Sequence, residues 1–103
     1  MYGPESIGYW SDLKAPNCGS KHQHLMAGKR YRVAREFRDY DRDTHPIGES
    51  WVFMGYSFLP YDDGLSLFVS LDGKQEWHIP MQWRPEEQGP VLGNLAEYVA
   101  EEI

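Results

Sequence analysis

The chain carries two hydrophobic periods. In "HLMAGKRYRVAREF", Gly28 marks a turn, Tyr31, Val33 and Phe37 fall at odd positions, Arg30 and Arg32 at even ones, and Arg35 interrupts the apolar side. Such alternation predicts a half-buried strand. "RDYDRDTHPIGES", from Arg38 to Ser50, is polar, contains Pro46 and Gly48, and predicts a long loop. "WVFMGYSFLPY" is apolar on both faces and predicts a strand with little exposed surface, bent or bulged at Gly55 and closed by Pro60. Leu65, Leu67, Val69 and Leu71 share one face of the next strand. "DGK" turns the chain into "QEWHIPMQW", where Trp77, Ile79, Met81 and Trp83 align opposite His78, Pro80 and Gln82. Pro80 cannot donate to a ladder, which places this strand at an edge or beside a bulge. After Arg84-Pro85 the spacing becomes helical: Val91, Leu92, Leu95, Tyr98 and Val99 predict an amphipathic helix from near Pro90.

Strands joined by tight turns and followed by one helix predict a mainly β fold: a small antiparallel SH3-like barrel or curled sheet with a C-terminal amphipathic helix. The SH3 comparison rests on the long loop after the first strand and carries no function. Residues 1–24, with Gly3, Pro4, Gly8, Pro16 and Gly19 and little periodicity, predict an irregular arm. Residues 25–103 form a single domain with the helix at its end.

A length of 103 residues suits one domain, and 41% hydrophobic with 15% aromatic residues excludes a disordered composition. Cys18 is the only cysteine, so no internal disulfide forms. The start lacks a basic and then apolar leader, and the longest uncharged run, Ser50–Tyr61, has 12 residues, too few for a membrane span. A cytoplasmic protein is expected. The charge of −6 is uneven: residues 1–38 carry seven Lys/Arg and three Asp/Glu, residues 39–103 three Lys/Arg and 13 Asp/Glu. An acidic chain is a poor general binder of phosphate backbones.

The stretch from Gly28 to Gly89 resembles a family of small bacterial domains of unknown function. The residues that carry the likeness are a Gly-x-x-Tyr-x-Val start at Gly28, Gly-Glu-x-Trp-x-Phe at Gly48, Phe-Leu-Pro-Tyr-x-Asp-Gly-Leu at Phe58 and the Gln-Gly of Gln88 and Gly89. The resemblance implies bacterial origin and a shared fold. It assigns no catalytic residues.

Four clusters have chemical potential. Asp62 and Asp63 offer carboxylates to a cation, but the following Leu65, Ser66, Leu67 and Phe68 do not continue a calcium loop, and Asp-Gly between apolar strands is a hairpin signal. Cys18, His22 and His24 form Cys-x3-His-x-His, with His45 or His78 able to complete four zinc ligands, although the spacing matches no common zinc module. Cys18 lacks the orienting groups of a nucleophile. Lys29, Arg30, Arg32, Arg35 and Arg38 concentrate five of ten basic residues, either as a nucleic-acid stripe or as a solvated strand face paired to acids. Finally, the rings are numerous, and strict alternation places Tyr56, Phe58 and Phe68 opposite Trp51, Phe53 and Leu67. That second face is either covered or an interaction surface.

No catalytic constellation emerges and no cofactor is called for. The expected function is non-enzymatic binding of a protein or peptide through the acidic 39–50 loop and Tyr40, Tyr56, Phe58 and Tyr61, with Arg30 and Arg32 as further contacts. A metal protein using Cys18, His22 and His24, or nucleic-acid binding through Lys29–Arg38, are the alternatives.

Overall fold

The computed structural model describes residues 1–12, 17–59 and 63–102. Among these residues, strands and two single-turn helices run in the order β1 (Tyr2–Ser6), β2 (Cys18–Gly19), β3 (Lys21–His22), β4 (Leu25–Met26), β5 (Arg30–Val33), β6 (Phe37–Arg38), β7 (Thr44–His45), β8 (Ser50–Leu59), β9 (Gly64–Ser70), β10 (Gln75–Gln82), α1 (Gly89–Leu92), α2 (Leu95–Tyr98) and β11 (Val99–Glu101). The main sheet is antiparallel with the order β1-β10-β9-β8-β5-β11. On the edge of β8 away from β9, β5 pairs with Ser50–Val52 and β2 with Tyr56 and Ser57. Two small hairpins, β3–β4 and β6–β7, flank the sheet. The sheet is open and curled; it does not close into a barrel.

One bulge decides which rings are buried. Phe53 faces Val69, Gly55 faces Phe68, and the extra residue between them flips the alternation. Tyr56 and Phe58, opposite Leu67 and Leu65, therefore join Trp51 and Phe53 on the inner face. Strict alternation put Tyr56 and Phe58 on the outer face; the bulge corrects this, and only Phe68 stays outside. Gly55 permits the bulge with φ 153°, and a Cβ there would stand 3.1 Å from the Gly19 carbonyl oxygen.

The inner face gathers Tyr31, Val33, Trp51, Phe53, Leu65, Leu67, Val69, Ile79 and Met81, closed over by Leu25, Phe37, Leu92, Leu95 and Val99. The C-terminal apolar positions are buried as their spacing predicted, but they do not lie on one helix. Gly93 and Asn94 interrupt it: Asn94 takes φ −132°, and α2 ends at once in β11, where β-branched Val99 pairs with Val33. A sheet partner for Val99 wins over continued helix.

Described segments before Leu25 are strands where an irregular arm was expected. Tyr2–Ser6 adds a strand to β10, and Cys18–Gly19 adds one to β8. Of the two Asp-Gly turns, Asp72 accepts the backbone N–H of Lys74 and Gln75 at 2.8 and 2.9 Å, which holds its carboxyl below the usual range. Around the other, Leu59 pairs with Gly64 and Asp63 has φ 51°. Asp62 and Tyr61 lie outside the described residues. No helix among the described residues is long and apolar enough to cross a membrane.

Candidate functional site

The long polar loop folds around a histidine. β6 and β7 form a hairpin that sets Asp39 just after one strand and His45 at the end of the other. His45 Nε2 donates to Asp39 Oδ2 at 2.8 Å and Nδ1 to Glu49 Oε2 at 2.5 Å. Two carboxylates can only accept, so both ring nitrogens carry protons and the ring is an imidazolium. Burial opposes that charge, but the hydrogen bonds to Asp39 and Glu49 outweigh it and push the pKa up to about 9. Phe37 stacks on the ring at 4.8 Å, and Trp51 Nε1 donates to Glu49 at 3.2 Å. The other Asp39 oxygen accepts the backbone N–H of Asp41 and Asp43 at 2.9 and 3.1 Å. Burial raises the Asp39 pKa, yet its bonds from His45 and the Met1 amino group bring it below the ordinary value. With both nitrogens engaged, His45 cannot serve as a base. It is a structural cation that fixes the conformation of an acidic loop.

That loop lies along the same strand edge as β1. Tyr2 pairs with His78 on β10, and two residues further on the backbone N–H of Tyr40 bonds the Pro80 carbonyl at 2.8 Å. Tyr2 Oη donates to Asp41 at 3.2 Å, and the Met1 amino group contacts Asp39, Asp41 and Asp43. The negative charge of Asp41 raises the Tyr2 pKa.

From Tyr2 a run of rings crosses the outer face. Tyr2 lies 5.4 Å from His78, His78 5.6 Å from Trp10, and Trp10 5.1 Å from Tyr9. Phe68 packs beneath His78 at 5.4 Å, and His78 Nε2 meets Ser66 Oγ at 2.7 Å. Burial, then the charge of the Met1 amino group, lowers the His78 pKa, so its ring is neutral. The turn bearing Tyr9 and Trp10 is pinned by Glu76, whose fully buried carboxylate accepts Gly8 N, Trp10 N, Ser11 N and Ser11 Oγ at 2.7–2.9 Å. Burial raises its pKa, but these four donors win and hold it low. Tyr2, Tyr9 and Tyr40 remain 47%, 61% and 45% exposed. The outer face is thus covered in part by residues 7–12, and its rim is aromatic and acidic.

The other predicted residues scatter. Tyr56 and Phe58 are half-buried against the core. Tyr56 packs on His22 at 5.0 Å, and the Phe58 backbone is bonded on both sides by Asn17. Cys18 is half-buried opposite Ser57. Burial, then the charge of His24, lowers the His22 pKa. His24 turns to the Val99 carbonyl at 2.6 Å and edges onto Tyr31. No three His, Cys, Asp or Glu side chains gather as a metal-ligand set among the described residues. Arg30 and Arg32 are exposed on β5, and acids of α2, β11 and the residue after it lie near the basic stretch: Lys29 bridges Glu101 at 3.3 Å, Arg35 approaches Glu97 at 3.9 Å, and Glu102 contacts Ser50, which also takes Arg30 at 3.3 Å. Sequence reasoning expected Tyr9 and Trp10 to pack as a turn onto the body, but missed Tyr2, Glu76 and the Asp39–His45–Glu49 knot. A histidine within a run of acids was the available signal for the last.

A family profile for a domain of unknown function, DUF3601, matches residues 16–102. The chain belongs to this family. Among solved structures, this DUF3601 chain is similar to an integron cassette protein from the mobile metagenome of Vibrio cholerae, with 37% identity and a TM-score of 0.78 over 82% of this chain and 92% of that one. No curated protein matches. The family is of unknown function, so neither match indicates an enzymatic activity for this DUF3601 domain.

Proposed function

We propose that this DUF3601 protein is a non-enzymatic binding module of the cytoplasm whose partner is a protein segment rich in Lys and Arg. The recognising surface is the rim where exposed Tyr2, Tyr9 and Tyr40 stand beside Asp41 and Asp43. The observation that carries this reading is the Tyr2–Asp41 hydrogen bond, which ties an exposed ring to the acidic loop in one patch. Rings offer their faces to cations, and neighbouring carboxylates select positive charge. Tyrosines give large contact area at low entropic cost.

The Ser66–His78 contact has the distance of a nucleophile and base. Tyr2, Trp10 and Phe68 crowd that imidazole, which speaks for packing over acyl transfer. The pairing of Lys29 with Glu101 and of Arg35 with Glu97 speaks against a nucleic-acid stripe.

The test is a fluorescence titration of the full chain, read at its tryptophans, with a lysine-rich and a glutamate-rich peptide of equal length. Saturable binding of the lysine-rich peptide that weakens with salt, and falls at least ten-fold in the Asp41→Asn, Asp43→Asn double variant, supports the reading. Equal response to both peptides, or to neither, refutes it.

A further inference from the structure

Residues 1–12 behave as a ligand of the rest of the chain. The matched family domain begins at residue 16, so β1 and the turn after it lie outside that domain, while the edge they occupy, β10, lies inside it. Their contacts are those by which one chain recognises another's extended segment. β1 adds to β10 in antiparallel register, Tyr2 opposite His78 and Ser6 opposite Gln75. Beyond the strand, Glu76 reaches from β10 and takes three backbone N–H groups and one hydroxyl of Gly8, Trp10 and Ser11. With residues 1–12 docked, the carboxylate has no exposed surface, and these four donors replace the water it loses. A segment that docks on this edge must therefore supply clustered donors to Glu76.

We propose that the β10 edge and Glu76 form a peptide-accepting groove, that residues 1–12 fill it in cis, and that an extended segment of the same chemistry binds there in trans when they are displaced. That chemistry is a strand of about five residues followed by a turn with three N–H groups aimed at one carboxylate and an aromatic ring to lie on His78. Main-chain pairing supplies affinity in this mode of recognition and the side-chain contacts supply selectivity. The groove is distinct from the acidic rim and antagonistic to it, since Tyr2 and Tyr9 are lost from the rim when residues 1–12 leave.

Gly3 gives the means to empty the groove without altering it. Its φ is +125°, and a Cβ there would stand 2.9 Å from both the Glu76 carbonyl oxygen and Trp77 Cδ1. In full-length Gly3→Val, residues 1–12 undock. A fluorescein-labelled peptide of residues 1–12 then binds this variant saturably by anisotropy, at least ten-fold more tightly than wild type, whose groove is filled. Adding Glu76→Gln removes the gain, and the lysine-rich peptide loses its site in Gly3→Val. A Gly3→Val protein with native β-sheet circular dichroism that takes no labelled peptide, or a wild type that binds it equally well, overturns the groove. Hydrogen exchange on the wild type decides the matter if the variant does not fold. Amides of Gly8, Trp10 and Ser11 should exchange together, at least ten-fold faster than those of Leu65–Ser70; exchange of both sets only in global unfolding overturns the proposal. Failure of the lysine-rich peptide alone counts against the rim and leaves the groove standing.

Discussion

The imidazole of His45 and the carboxylate of Asp39 meet at 2.8 Å with side chains 1% and 0% exposed. Glu49 closes the other side of the ring. The pair holds Asp39 beneath the loop, and Asp39 in turn holds the backbone of Asp41 and Asp43, so a buried cation determines where the exposed acids point.

Removing that cation takes from buried Asp39 its buried partner and leaves it the Met1 amino group and two backbone N–H donors. His45→Gln is expected to lower the unfolding free energy by about 3–5 kcal/mol, the cost of breaking a buried pair from one side. Urea denaturation followed by tryptophan fluorescence reads the loss. A change below about 1 kcal/mol would mean that the pair behaves like an exposed one.

The same pair sets an alkaline limit. Unfolded His45 titrates near 6.5, folded His45 at about 9. Because the folded value is raised, the stabilisation is complete below pH 6.5 and is lost as pH climbs to 9, by about 3 kcal/mol in total. Asp39 and Glu76 have lowered folded values, so their contribution is present at neutral pH and is lost as pH falls below the carboxylate range. Urea midpoints between pH 3 and pH 10 should describe a dome, and His45→Gln should flatten its alkaline side and, by removing a donor that holds Asp39 low, soften its acid side.

Gly55→Ala puts a Cβ against the Gly19 carbonyl in a backbone region that side chains rarely adopt. A cost of about 1–3 kcal/mol is expected. Differential scanning calorimetry measures it, and an unchanged Tm would show that the bulge does not need glycine.

Much of the fold was legible, because alternation is a local signal. Leu65, Leu67 and Val69, and Trp77, Ile79 and Met81, read as one-sided strands, and their sides are the inner face. Tyr56 and Phe58 were misplaced because a bulge breaks the alternation by a single residue; the glycine announced the possibility, not the flip. The C-terminal stretch misled for the opposite reason: burial at Leu92, Leu95 and Val99 obeyed helical spacing, while the conformation of Val99 was set by a partner strand more than 60 residues away. The rim was half legible. Tyr40 and the acidic loop stood out by composition, but Tyr2, Tyr9 and Trp10 became part of it only through pairing with β10 and the grip of Glu76, contacts that span 65 residues or more. Period-based reading carries no information at that range.

The central claim is that the aromatic, acidic rim binds a cationic protein segment. The most direct measurement is an amide chemical-shift map of the uniformly labelled full chain during titration with the lysine-rich peptide. Saturating shifts confined to Tyr2, Tyr9, Tyr40, Asp41, Asp43 and their neighbours on β10 are predicted. Shifts centred on Arg30–Val33 or on Cys18–His24, or none at millimolar peptide, would contradict it.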